Sequence, residues 1–202
     1  MDPGYSSRNR AQIEANAERL DIPIRIFESD IFSVADQQTK NPCYLCARMR
    51  RGHLYSKARE LGCNKIALGH HFNDVIETTV MGMFWGAQLQ AMLPKLKSQN
   101  FPGMELIRPL YLIHEDDIIT WRNSNELTFL QCACHFTEMN QGLTDHESSK
   151  RQEVKRLLKQ LKHDNPDIEK SIFSSIHAVS IDTFPGWKSH GTEHSFLEHY
   201  DM

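Results

Sequence analysis

No apolar run in this chain approaches the roughly 20 residues that a bilayer-spanning helix requires, and the N-terminal stretch has no apolar signal core. Both absences argue against a helical membrane protein and set the expectation of a cytoplasmic one. No internal repeat or low-complexity tract is evident, so a repeat array is not expected. Cysteine is scarce, five in 202 residues. In a reducing compartment clustered cysteines serve as metal ligands or redox thiols more often than as structural disulfides.

What remains is an ordinary globular composition, 40% hydrophobic and 24% charged, long enough for one good core or one core with a small appendage. The net charge of -3 hides an asymmetry. Residues 40–110 carry ten Lys or Arg against four Asp or Glu, and the remainder thirteen against twenty-two. A basic middle between acidic ends suits a phosphate-binding face; scattered solvated charges are the plainer explanation.

Helical periodicity covers about Ser7 to Leu20, and Ile22 to Phe27 alternates as a short strand. A loop leads through Pro42 to the first cysteine pair, ahead of a helix over Ala47 to Leu61 with Gly62 as its stop. Lys65 to Gly69 reads as a buried-type strand. A helix follows from Asp74, with Asp74 and Glu77 as a capping box, and Gly82 and Gly86 loosen its end. Residues 94–103 read as a loop, Met104 to Leu110 as a strand and His114 to Glu126 as a helix. Two further helices are expected, Ser149 to Lys162 and Pro166 to Ala178, then a loose tail. This alternation predicts an α/β fold with a mostly parallel sheet.

Four cysteines form two clusters, Cys43-x-x-Cys46 and Cys132-x-Cys134. A CxxC ahead of a helix serves as a redox dithiol, as half of a zinc site or as part of an iron–sulfur site. The redox use leaves the second cluster unexplained. Cys63, beside Gly62, reads as a small buried hydrophobe. Gly69, His70 and His71 lie at a strand's carboxyl end, where ligands of such sheets sit; a histidine pair there serves as metal ligands, as general acid/base groups or as donors to an anion, or is structural. Asp74 caps its helix or helps position a magnesium-bound nucleotide. Arg48, Arg50 and Arg51 either grip phosphates or form a solvated helix face. The stripe Met81, Met83, Phe84, Trp85, Leu89, Met92 and Leu93 reads as core.

Taken in order, Cys43-x-x-Cys46-x-Arg48-x-Arg50-Arg51-Gly52, Leu68-Gly69-His70-His71-x-x-Asp74, Met92-x-Pro94-Lys95-Leu96, Ile107-Arg108-Pro109-Leu110 and the late cysteines resemble the TtcA-type tRNA 2-thiocytidine synthetases. These are PP-loop ATP pyrophosphatases on a HUP-type, Rossmann-like α/β fold. The resemblance implies ATP- and Mg2+-dependent adenylation of a cytidine C2 oxygen in the tRNA anticodon loop, followed by sulfur insertion through a [4Fe–4S] cluster. It implies cluster ligation by Cys43, Cys46 and one of Cys132 or Cys134, these four also being the catalytic candidates. Gly69, His70, His71 and Asp74 would line the nucleotide side. Arg48, Arg50, Arg51, Lys95 and Lys97 would contact RNA. A sulfur donor protein or free sulfide completes the implied partners; separately, an exposed sheet edge and hydrophobic face set the expectation of a homodimer.

Two departures qualify the resemblance. The family's Ser-Gly-Gly-x-Asp-Ser phosphate loop is not among these 202 residues, so the chain is expected to be an N-terminally shortened member, lacking the first β-α unit and weak or inactive alone. The late cysteines are CxC rather than the relatives' CxxC. The expected organisation is an incomplete PP-loop ATPase-like domain over 1–140, a helical extension over 141–180 and a flexible tail over 181–202. The alternative is a non-catalytic cysteine-ligated zinc or iron–sulfur module that binds RNA or a protein partner.

Overall fold

The computed structural model describes residues 1–36, 42–130 and 150–200. Helix α1 (Ser7–Arg19) starts where the Ser6 hydroxyl accepts the Asn9 N–H at 3.3 Å, satisfying one orphan donor of the first turn. The strand expected at Ile22–Phe27 is extended chain without a ladder. One parallel bridge joins Glu28 to Asp2, whose N–H donates to the Phe27 carbonyl at 2.8 Å. The next residue along from Asp2 is Pro3, which has no N–H to carry the pairing on. Helix α2 (Ile31–Asp36), which the sequence pattern did not announce, buries Ile31 and packs on α3.

Helix α3 (Pro42–Glu60) begins at Pro42 rather than Ala47. Proline is pre-organised for the first helical position, where no N–H is needed. The CxxC is therefore inside the first helical turn, not ahead of it. Gly62 adopts φ +74, ends the helix as expected and turns the chain outward, which leaves Cys63 exposed rather than buried.

Strands β1 (Lys65–Ala67) and β3 (Glu105–Ile107) pair in parallel, with Ile66 opposite Leu106, and β2 (Lys95–Lys97) joins β3 antiparallel at the edge. The order is β1-β3-β2. Strand β2 lies inside the expected 94–103 loop. A tight turn over 98–103, with Gly103 at φ +81, returns the chain directly, and so short a connection permits only antiparallel pairing. Only Ile66 of β1 is buried, because α3 covers one face: Tyr55, Leu54 and Ala58 pack on Ile66, Met104 and Leu106.

Helix α4 (Phe72–Trp85) carries the second core. Phe72, Ile76 and Val80 pack against Val154 and Leu158 of α6 (Lys150–Asp164) and against Ile172 and Phe173 of α7 (Ile168–Ser175). Helix α5 (Glu115–Ser124) begins after His114. The stripe after Val80 is not the core expected. Met81 is partly buried, but Met83, Phe84, Trp85, Leu89 and Leu93 are 46–58% exposed. Helices α6 and α7 pack on Phe72, Ile76 and Val80 of α4, whereas at its last residue, Trp85, the Lys150 ammonium lies over the ring at 5.3 Å. The expected loose tail carries a hairpin, β4 (Gly186–Ser189) with β5 (Thr192–Ser195). His190 and Gly191 at its tip both have positive φ, the backbone a two-residue hairpin turn requires.

Candidate functional site

Parallel pairing puts the carboxyl ends of β1 and β3 at one edge of the sheet. Leu68-Gly69-His70-His71 leaves β1 there, after a last ladder bond from the Leu68 N–H to the Ile107 carbonyl at 2.9 Å, and Arg108 leaves β3 beside it. Helix α3 precedes β1 and runs back along it, so its N-terminal turn returns to the same edge. The CxxC helix, the His-His segment and Arg108 thus converge through topology alone.

Between them lies a cleft of about 630 Å³. Arg48 and Arg51 project into it from α3, His70 from the turn after β1, Lys97 from β2 and Arg108 from the end of β3. Tyr55, Phe101, Leu68 and Leu106 form its apolar wall, where the Tyr55 and Phe101 rings stack at 5.0 Å. Among the described residues no Asp or Glu lines it. Arg50, one residue round the helix from Arg51, contributes its charge near the Met1 amino group instead, and Lys95 lies outside the lining. Gly69 has an ordinary φ, and a Cβ there would meet nothing within 4 Å; neither strain nor packing requires glycine.

Helix α4 opens the other side of the edge. Its cap is His71, not Asp74. Asp74 is the third helical residue, and its Oδ2 accepts the His71 backbone N–H at 3.0 Å, the return half of a capping box. The Oδ1 of the same carboxylate accepts from Arg151 Nη1 on α6 at 2.9 Å. Asp74 thus serves as cap and as ion-pair partner. His70 is half-buried, and desolvation lowers its pKa; Asp74 opposes this, while Arg108, Arg151 and His71 add to it. Its imidazole is neutral at pH 7, and its buried Nδ1 has no partner among the described residues.

Behind this cap lies a charge cluster that the sequence reading missed. Glu77, taken there for a capping partner, is 2% exposed. Burial raises its pKa to about 7 against the opposing charges of Lys155 and Arg151. Its Oε2 is 3.6 Å from Arg151 Nε and its Oε1 3.9 Å from Lys155 Nζ. Lys155 also donates to Glu115 of α5 at 2.7 Å. One helical turn separates Asp74 from Glu77, which was a signal for a shared face, but the cations come from residues 151 and 155, far along the chain.

Cys43 and Cys46 lie in the first turn of α3, three positions apart. Cys46 is half-buried. Cys132 and Cys134 lie outside the described residues. Among the described residues no three His, Cys, Asp or Glu side chains gather as a metal site, and no helix is long and apolar enough to cross a membrane.

The sequence pattern of the PP-loop domain family matches residues 4–135, a span that holds both cysteine clusters, the His-His segment and every residue of the cleft. The class is therefore that of the PP-loop proteins. Over 183 residues the chain is 34% identical to a tRNA-cytidine(32) 2-sulfurtransferase of Syntrophotalea carbinolica, covering 89% of this chain and 67% of the relative. It is 37% identical over 166 residues to the protein of that description in Vibrio campbellii, covering 81% and 53%. The chain belongs to this TtcA-type family of PP-loop proteins, and it spans between about half and two thirds of the length of these curated relatives. The fold is also that of the U34-tRNA thiolase NcsA from Methanococcus maripaludis, solved with its [4Fe–4S] cluster. The TM-score is 0.63 at 21% identity, over 88% of this chain and 59% of that one. The α/β, HUP-type expectation is thereby met.

Proposed function

We propose that this chain is the sulfur-handling part of a tRNA-thiolating enzyme. In this reading ATP, with Mg2+, adenylates the C2 oxygen of an anticodon-loop cytidine, and sulfur from a donor protein or free sulfide then displaces AMP. The adenylation has a simple chemical purpose: a carbonyl oxygen is a poor leaving group until esterified. A cytoplasmic location and a homodimer belong to the same proposal. The observation that carries it is a cleft with no acid among its described lining residues, bounded on one side by Ala47, Arg48 and Arg51 of α3, which follow the CxxC in sequence, and on the other by His70 and Arg108. Arg48, Arg51 and Lys97 would meet RNA phosphates there, while Arg50 and Lys95, outside the cleft, would reach phosphates further along.

The donor chemistry fits an iron–sulfur group. Two cysteines three positions apart on one helix, with Cys46 only half-buried, suit one edge of such a cluster. Cys43, Cys46 and one of Cys132 or Cys134 would hold it, leaving an iron without a protein ligand as the place for a sulfide. Gly69, His70 and His71 would face the nucleotide, with the neutral His70 imidazole able to donate a hydrogen bond without adding charge. Asp74 would act through the α4 cap it completes. The Ser-Gly-Gly-x-Asp-Ser loop is not among these residues, so adenylation by these 202 residues alone is proposed to be weak.

Anaerobic reconstitution with iron and sulfide, followed by iron analysis, tests the reading. The expected result is a broad visible absorption band and iron bound to the wild type but largely lost from Cys43→Ala and Cys46→Ala. A Cys43→Ala protein that keeps the full iron content would overturn the ligand assignment. Zinc occupancy with no nucleotide binding would favour the non-catalytic metal module instead.

A further inference from the structure

Arg108 is a cation of the cleft that its surroundings leave only partly satisfied. Its Nη1 donates to the Leu93 carbonyl, but its buried Nε has no partner among the described residues. Among the described residues every charged or titratable group facing it is cationic or neutral: Arg51 and Tyr55 from α3, His70 from the turn after β1, and Tyr111 from the turn after β3. No ion pair forms at Arg48, Arg51, Lys97 or Arg108 among the described residues. A guanidinium drawn partly out of water without a counter-charge is costly, and three further cations around one cleft add repulsion. Such an arrangement is stabilised only when an anion enters.

The geometry narrows the anion. A guanidinium presents a rigid planar fork that matches phosphate oxygens two at a time. The cleft, about 630 Å³ with one apolar wall, is far larger than a lone phosphate and has the amphipathic lining a nucleotide unit needs. Arg48 of α3 and Lys97 of β2 both line it and are exposed, so a strand passing through could meet more than one cation with its phosphates.

We propose that Arg108 is the phosphate anchor of this cleft, and that the phosphate belongs to the backbone of a bound RNA strand. The RNA source rests on the tRNA reading above; the phosphate site itself does not. Fluorescence anisotropy of a labelled anticodon stem-loop RNA, titrated with the 202-residue protein at several salt concentrations, measures the first arm. Equilibrium dialysis against ATP measures the second.

Arg108→Gln is expected to weaken RNA binding about tenfold and to flatten the log–log salt slope by roughly 0.7 to 0.9, the signature of one lost phosphate contact. Arg108→Lys should regain the slope but only part of the affinity, because it keeps the charge and loses the fork. ATP affinity should not change. If ATP affinity falls while RNA affinity holds, the phosphate site stands and its phosphate is a nucleotide's. If the wild type binds no RNA, the tRNA reading fails and the ATP arm alone decides the site. Folded Arg108→Gln protein with unaltered affinity in every arm that binds overturns the proposal. Should that variant fail to fold, Arg108→Lys with unaltered affinity does the same.

Discussion

Asp74 and Arg151 meet at 2.9 Å, carboxylate to guanidinium, across 77 positions of sequence. The contact fastens the N-terminal end of α4, and with it the His70-His71 turn, to helix α6. Arg151 Nη2 also donates to the Thr78 hydroxyl at 3.3 Å, and its Nε faces Glu77. Three acceptors on one helix therefore share a single guanidinium from another.

Arg151→Ala is expected to destabilise the protein by about 1–3 kcal/mol in urea unfolding. Removing one partner of a fully buried pair costs more, about 3–5 kcal/mol, but the Arg151 side chain is 43% exposed and water screens part of its charge. Asp74→Asn should cost less. The asparagine oxygen can still accept one of the two hydrogen bonds, and a buried negative charge is removed beside Glu77. A variant order in which Asp74→Asn is the more damaging would contradict this division of roles.

The Glu77 carboxyl makes stability depend on pH in a defined direction. Its folded pKa is about 7, raised from 4.5 chiefly by burial. Between these values the folded state binds more protons than the unfolded, so stability falls as pH rises. The contribution is fully present below about pH 4.5 and lost above about pH 7, roughly 3 kcal/mol in all. Glu77→Gln cannot titrate. The wild-type minus variant difference in unfolding free energy, followed from pH 5 to pH 8, should therefore decline by that order. A difference independent of pH would mean that the carboxyl is ionised throughout.

The glycine ending α4 is held there by its neighbours. A Cβ on Gly86 would lie 2.8 Å from the Gly82 carbonyl oxygen and 3.3 Å from the Gly82 Cα, both backbone atoms that cannot swing aside. Gly86→Ala is expected to cost about 1–3 kcal/mol, the usual range for overpacking. Gly69→Ala, with open space around its Cβ, should leave thermal stability within about 0.5 kcal/mol of wild type, as surface substitutions usually do. Thermal melts of the pair check both.

How far the sequence carried follows from how local each signal is. Gly62 and the Gly82/Gly86 pair marked helix ends because stops act within one turn. Gly69-His70-His71 was placed correctly because a glycine-terminated strand before a helix fixes the carboxyl edge of a parallel sheet. Pro42 misled: read as loop punctuation, it is the first helical residue. Strand β2 was hidden in a Pro/Lys/Gly-rich stretch because its three residues pair only through the turn that follows. The exposed Met83-Phe84-Trp85 run looked like core because hydrophobicity says nothing about whether a partner helix extends far enough to cover it. Arg108 sat in a recognised motif, yet its unpaired Nε is a property of the folded cleft. Glu77 needed α6 to become a buried acid.

The C-terminal helices share the second core rather than resting on it. Leu158 is 4% exposed and Val154 fully buried, and both pack with Phe72, Ile76 and Val80 of α4. Leu158→Ala is expected to cost about 2–5 kcal/mol, the lost transfer free energy plus that of the cavity left behind. The shape of the transition carries more information than its midpoint. If α6 and α4 form one cooperative unit, urea unfolding of the variant remains a single transition at lower urea with an unchanged m-value. The His70-His71 turn should also stay as protected from hydrogen exchange, relative to global stability, as in the wild type. If α6 and α7 instead form a separable appendage, the substitution splits the transition, and the α6 amides exchange ahead of those of β1 and β3. The shared contacts with Ile76, the most enclosed apolar side chain of α4 together with Val75, favour the single transition. Cavity formation there should loosen α4 and α6 together.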